Sequence, residues 1–237
     1  MADSMTDSPV ALITGAGSGV GRAAAMLLAR RGYHVALAGR REEALRETAS
    51  LIGGVTLVVS ADISQPEQAR GAVDRVAAQS GRLDVIINNA GLAELRPIDA
   101  VDDALLQRLF AVNVFGPAHL VARAWPIFLR QKQGCVVNVS SMATLDPFAG
   151  LSAYAAAKSA LESLTRSIMN ERGEADIRAF TVAPGAIETE MLRGIVSADI
   201  LPTEQTLVPD AVAEVIVQCI VGQREADIGR IIRLPSP

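Results

Sequence analysis

The sequence predicts an α/β fold, doubly wound around a central parallel sheet of about seven strands with helices on both faces. Three observations carry this. Seven short runs rich in Val, Ile and Ala alternate with longer amphipathic stretches. The runs are apolar throughout, as strands covered on both faces are. A glycine-rich turn separates the first run from the first helical stretch, which is where such sheets hold an anion.

The elements follow in order. Val10–Ile13 reads as the first strand, and a helix pattern runs from about Val20 to Arg31. Val35–Ala38 and Val55–Val59 read as the next two strands. Ser64 and Glu67 fit a capping box with Pro66 in the first turn, opening a helix to about Ser80. Val85–Ile87 and Val136–Val139 are further strands; Arg178–Val182 and Ile231–Leu234 are weaker runs of the same kind. Val212, Val215, Ile216, Cys219 and Ile220 define one helical face, so Cys219 reads as a small core hydrophobe. Strand–helix alternation implies right-handed crossovers, with ligands at the carboxyl ends of the strands.

The 237 residues read as one catalytic domain, 1–237, with residues 1–8 a polar, flexible start. Half of the residues are hydrophobic, which excludes disorder, and only 3% are aromatic, so the core must be aliphatic. A net charge of −4 argues against a nucleic-acid partner, which wants a basic face. Cys135 and Cys219 are too few for a disulfide framework, and no His/Cys spacing fits a metal. The start lacks the pattern of a signal peptide, and no apolar run approaches the length that spans a membrane. The expectation is a cytoplasmic protein with no membrane partner.

Thr14-Gly15-Ala16-Gly17-Ser18-Gly19-Val20-Gly21 follows the first strand. Glycines let backbone approach a pyrophosphate closely, and the helix behind them offers free N–H groups to it. Val20 breaks the G-x-G-x-x-G spacing. Arg22 and Ala23 stand where a phosphate-binding G-K-[ST] would continue, so a kinase or ATPase is excluded.

The chain uses Lys only at 132 and 158 and Tyr only at 33 and 154, and Tyr154 stands four residues before Lys158. On a helix both face one side. An ammonium beside a phenol favours the phenolate and would draw its pKa toward neutrality, suiting it to exchange a proton with an alcohol or carbonyl oxygen.

At this point the chain resembles the short-chain dehydrogenase/reductase family, single-domain branch. The likeness runs from Val10 to about Met191. Thr14–Gly21 resembles the family's T-G-x-x-x-G-x-G turn, and Tyr154 with Lys158 its Y-x-x-x-K. Asn88-Asn89-Ala90-Gly91 resembles its N-N-A-G, and Asn113 and Ser141 stand at the positions of its helix asparagine and active-site serine. The likeness implies a Rossmann fold and an NADP cofactor, with NAD as the other candidate. It implies contacts from Gly15, Ser18, Gly19, Val20 and Gly21 to the pyrophosphate, and from Asp62 and Ile63 to the adenine. Asn89, Ala90, Gly91, Tyr154 and Lys158 would line the ribose. Pro184, Gly185, Ile187 and Thr189 would hold the carboxamide. Tyr154 would be the general acid or base. Lys158 would lower its pKa, Ser141 would bond the reacting oxygen, and Asn113 would hold a relay water.

The second strand ends at Gly39, with no acidic residue for a ribose 2′-OH; Arg40 and Arg41 follow, which suits a 2′-phosphate. Residues 188–208 should form a substrate lid. Leu145, Phe148, Met191, Leu192 and Ile195 would make the pocket apolar, with Glu94, Arg96 and Asp146 as polar specificity groups. Leu161, Leu164 and Ile168 form a helical stripe expected to join copies into a homodimer or homotetramer. The expected partner is a small carbonyl or alcohol. The alternative is a non-catalytic NADP-sensing or scaffold protein on the same fold. A Ser-His-Asp hydrolase lacks its G-x-S-x-G elbow, and the last histidine is His119.

Overall fold

A computed structural model of the chain describes residues 8–237. The expectation of a flexible start therefore lies outside the described residues, save Ser8. The strands are β1 (Val10–Thr14), β2 (His34–Gly39), β3 (Thr56–Ser60), β4 (Val85–Asn88), β5 (Gln133–Val139), β6 (Asp176–Pro184) and β7 (Ile231–Leu234). The helices are α1 (Gly19–Arg30), α2 (Glu42–Ile52), α3 (Pro66–Ser80), α4 (Asp103–Phe110), α5 (Gly116–Gln131), α6 (Ser152–Glu171), α7 (Glu190–Arg193) and α8 (Pro209–Ile220). A π-helical turn, Ala111–Phe115, joins α4 to α5.

All seven strands pair in parallel in the order β3-β2-β1-β4-β5-β6-β7, the doubly wound Rossmann arrangement. Alternate residues of each strand serve opposite faces. Ile13, Leu37, Ile87 and Val137 pack with α1 and α8 through Leu28, Val212 and Ile216. Leu12, Ala36, Ile86 and Val136 pack with α3 and α5 through Val73, Val76 and Phe128. Both faces are apolar, which is why the strands read as unbroken runs. Cys135 and Cys219 are free thiols in this core, each pushed up to about 12 by burial.

Several expectations are corrected. The capping box does not form: α3 begins at Pro66 without a side-chain cap, and Glu67 pairs with Arg70 instead. The Ser64 N–H goes to the Asp62 carboxylate at 2.9 Å, a tighter local turn that outcompetes the box. β5 starts at Gln133 rather than Val136. A Cβ at Gly134 would meet the Phe128 ring at 2.5 Å, so glycine lets the strand continue beneath α5. The stripe Leu161, Leu164, Ile168 packs largely against its own chain. Leu161 and Ile168 are buried, and Leu164 and Ile168 pack on the core beneath α6. The run Asp103–Gln131, taken end to end, is long and apolar enough to cross a membrane, contrary to the sequence reading. Here Leu105, Leu109, Leu120 and Phe128 are buried inside the fold.

Candidate active site

A cleft of about 970 Å³ opens at the carboxyl ends of the strands, where the sheet order reverses between β1 and β4. One end is built by the glycine turn. Gly15 has φ +67, a left-handed conformation that favours glycine. Gly21 is needed for close packing, since a Cβ there would stand 2.6 Å from Asn89 Nδ2. Thr14 ties the neighbouring segment down. Its hydroxyl accepts the N–H groups of Asn89 and Ala90, each at 3.0 Å, and Asn89 Nδ2 donates to the Thr14 carbonyl at 2.8 Å. The N-cap of α1, Ser18, makes no side-chain capping bond, and no acidic residue occupies the first turn. Its first N–H groups and positive dipole end therefore suit an anion, and the glycine cradle fits a dinucleotide pyrophosphate.

The other half is built on α6 and the end of β5. Tyr154 and Lys158 lie one turn apart on α6, with the Lys158 ammonium 5.8 Å from the centre of the Tyr154 ring. Lys158 is 3% exposed and donates to the Val139 carbonyl at 2.8 Å. Burial pulls its pKa down from 10.5 to about 8. Burial raises the Tyr154 phenol above its ordinary value, and a hydrogen bond with Ser141 opposes the rise. The expected lowering of the phenol by Lys158 is thus not what this arrangement produces. Lys158 is the buried one of the pair, Tyr154 being half-buried at the cleft, and the ammonium is directed at a backbone carbonyl. Ser141 is itself held in place, its hydroxyl accepting the Ala143 N–H at 3.1 Å. Below it, Glu162 accepts hydrogen bonds from Ser140 and Thr144, both at 2.8 Å, bracketing Ser141.

Most residues singled out in the sequence meet at this cleft. Gly15, Ser18, Gly19, Val20, Arg40, Asp62, Ile63, Asn89, Ala90 and Gly91 line one part of it. Ser141, Tyr154, Lys158, Pro184, Gly185, Ile187 and Thr189 line the rest. Gly21 and Asn113 do not line it. Asn113 is fully buried in the π-helical turn, and Nδ2 donates to the Leu92 and Leu109 carbonyls at 2.8 and 2.9 Å. Both amide hydrogens are thus committed to backbone, leaving the side chain no donor for a relay water. Phe148, Met191, Leu192, Ile195 and Asp146 line the cleft as expected, but Leu145 does not. Glu94 and Arg96 pair with each other away from it, because each satisfies the other's charge.

The sequence assigned no contact to the tail after the last strand. Pro235, Ser236 and Pro237 line the cleft beyond β7, and the Ser236 hydroxyl accepts the Ala186 N–H at 2.8 Å. Nothing in the local pattern marks them; the pairing of Pro184 with Leu234 brings them there. Residues 188–208 form one wall. Their base is closed by the Glu188 N–H to the Leu207 carbonyl at 2.9 Å and the Leu207 N–H to the Ala186 carbonyl at 2.8 Å. Arg193 braces the interior, donating to Glu188 at 2.8 Å and to the Leu201 carbonyl at 2.8 Å.

The chain is similar to known proteins along most of its length. The short chain dehydrogenase family profile matches residues 9–199. An uncharacterized oxidoreductase of Thermotoga maritima is 37% identical over 198 residues, covering 82% of this chain and 78% of that protein. The 3-ketoacyl-(acyl-carrier-protein) reductase of Brucella melitensis, solved in complex with NADH, superposes with a TM-score of 0.89. It is 29% identical, over 98% of both chains. Levodione reductase superposes with a TM-score of 0.90 at 27% identity, over 97% of this chain and 96% of that one.

Proposed function

The chain belongs to the short-chain dehydrogenase family, and from that premise we propose that it is an NADP(H)-preferring oxidoreductase interconverting a carbonyl and a secondary alcohol. One observation carries the reading. A phenol, a buried ammonium and a serine hydroxyl converge at one end of a cleft whose other end is a glycine turn built for a pyrophosphate.

The residues present fit a nicotinamide dinucleotide, the class of cofactor with which the Brucella enzyme was solved. The turn from Ser18 to Val20 would hold the pyrophosphate at the start of α1. Asp62 and Ile63 would meet the adenine, and Asn89 to Gly91 the ribose. Pro184, Gly185, Ile187 and Thr189 would position the carboxamide. The preference for a 2′-phosphate rests on Arg40 and Arg41 at the end of β2. When bound, the nicotinamide supplies or takes up the hydride. Tyr154 donates the phenolic proton to the carbonyl oxygen in reduction and takes it back in oxidation. Ser141 bonds the same oxygen and orients it. Lys158 holds the nicotinamide ribose and offers a proton source beside the phenol. Asn113 braces the Leu92 backbone that forms the wall of the site.

Residues 188–208 act as the lid over the substrate. Leu106, Phe115 and Leu129 are exposed on the α4–α5 run and support assembly into a dimer or tetramer.

Thermal-shift measurements with NAD, NADH, NADP and NADPH test the reading, followed by a carbonyl and alcohol panel with whichever cofactor stabilises most. Stabilisation by a phosphorylated cofactor and turnover of at least one carbonyl are expected. No shift with any of the four would reject it.

A further inference from the structure

Six side chains lining the cleft carry formal charge: Arg40, Arg41, Asp62, Glu190, Lys158 and Asp146. The two arginines stand together at the end of β2, in the cofactor half, and Arg41 is engaged with Glu190 at 3.2 Å. Lys158 is buried and donates to Val139. Beyond Tyr154 the wall is apolar, built from residues such as Leu95, Phe148, Leu192, Ile195, Val196 and Ile200. Phe148 and Ile200 are 68% and 77% exposed, so the apolar surface extends to the mouth.

The arginines around that end are already partnered. Arg193 donates to Glu188 at 2.8 Å. Arg96 and Arg108 both pair with Glu94, the latter at 3.1 Å. The charge remaining at that end of the wall is the Asp146 carboxylate, exposed and, among the described residues, without a hydrogen-bond or ion-pair partner. An anionic substrate would shed its hydration against apolar side chains with no cation to receive it, beside a like charge. A neutral apolar ketone meets neither cost.

On this basis, and resting on the function proposed above, we propose that the substrate is an uncharged, apolar carbonyl compound, and that Asp146 is a specificity residue that turns away carboxylates and phosphates. The step itself is ordinary for the site. A bound reduced nicotinamide would supply the hydride for the carbonyl carbon and be oxidised in turn, while Tyr154 would give its proton to the oxygen as the C=O π bond opens.

A matched pair of ketones tests this: 4-phenyl-2-butanone and 4-(3-oxobutyl)benzoate, which share the reacting end and differ by one carboxylate. We expect the wild type to reduce the neutral ketone with at least tenfold higher kcat/KM. Asp146→Lys, a change at an exposed side chain, should narrow that ratio at least threefold. Equal or better use of the benzoate by the wild type would overturn the inference. An unchanged ratio in Asp146→Lys would overturn the role of Asp146. Calorimetric titration of both ketones reads the same selectivity without turnover, with the same two overturning results. Failure of the function itself looks different: no nicotinamide cofactor would bind.

Discussion

Lys158 Nζ donates to the backbone carbonyl of Val139 at 2.8 Å, tying α6 to the end of β5. The price of this tie is a buried ammonium, whose pKa falls from 10.5 to about 8. Below pH 8 the lysine is charged in both the folded and unfolded chains, and the folded state bears the full penalty. Between pH 8 and 10.5 the unfolded chain binds more protons, so stability rises with pH. The difference is worth about 3 kcal/mol. Urea unfolding of the wild type and Lys158→Met at pH 7, 8, 9 and 10 should show wild-type stability gaining on the variant as pH rises. A gap independent of pH would show that the ammonium is not buried at a cost.

Tyr154→Phe keeps the ring on α6 and removes the proton donor. General acid–base groups contribute roughly 10²–10⁴-fold. Turnover should fall at least about a hundredfold. Cofactor affinity, read by fluorescence titration, should stay within about twofold, since less than about 0.4 kcal/mol of binding is at stake. A variant keeping more than about a tenth of wild-type turnover would remove Tyr154 from the chemistry.

The direction of the Tyr154 shift makes a separate prediction about pH. Burial raises the phenol, so it stays protonated through the neutral range and beyond. The acid form serves carbonyl reduction, and the phenolate serves alcohol oxidation. Initial rates with one ketone–alcohol pair should show reduction level from pH 6 to 8 and oxidation still climbing above pH 9. Oxidation reaching its plateau by pH 7 would mean that the bound phenol is far more acidic than its surroundings indicate.

The strands were legible as apolar runs because both sheet faces are covered, and Tyr154 and Lys158 because tyrosine and lysine are so scarce here. Periodicity also identified Leu161, Leu164 and Ile168 as an apolar stripe. Period alone does not tell a sheet from a second subunit, and Leu161 and Ile168 are buried within their own chain. Ser64 and Glu67 had capping-box spacing, but Asp62 offered the Ser64 amide a nearer acceptor. Ser236 was invisible for a different reason. It reaches Ala186 only through the β6–β7 register, a contact across 50 residues. Glu94 and Arg96 read as specificity groups in the sequence, but in the fold they are paired with each other.

Two glycines should respond oppositely to alanine. A Cβ at Gly21 would meet Asn89 Nδ2 at 2.6 Å and the Gly15 carbonyl closer still, with backbone on one side unable to yield. Gly71 lies on an exposed part of α3 with nothing within 4 Å of its would-be Cβ. Gly71→Ala should stabilise by roughly 0.5–1 kcal/mol, the ordinary gain in a helix interior. Gly21→Ala should lower the melting temperature and weaken cofactor binding together. A neutral Gly21→Ala would mean that the turn and Asn89 separate easily.

The last prediction concerns the cofactor's phosphate. β2 ends at Gly39 with no carboxylate for a ribose 2′-OH. Arg40 follows, lining the cleft, exposed and, among the described residues, without an ion-pair partner. Arg41 is differently placed. Its guanidinium reaches Glu190 at 3.2 Å and Ser18 Oγ at 3.4 Å, so a phosphate must share it with the carboxylate on α7. The pair is well exposed, with side chains 64% and 76% accessible, and exposed pairs contribute little, so Arg41 can turn to the phosphate at small cost. Arg40 should therefore carry most of the discrimination and Arg41 less. NADPH should be preferred over NADH at least about tenfold in kcat/KM, about 1.4 kcal/mol. Arg40→Asp should reverse the order by repelling the phosphate and offering the ribose a carboxylate, while Arg41→Ala should only narrow it. Steady-state kinetics with both cofactors decides. A wild type that uses NADH equally well would remove the arginines from phosphate recognition and leave Tyr154 and Lys158 in place.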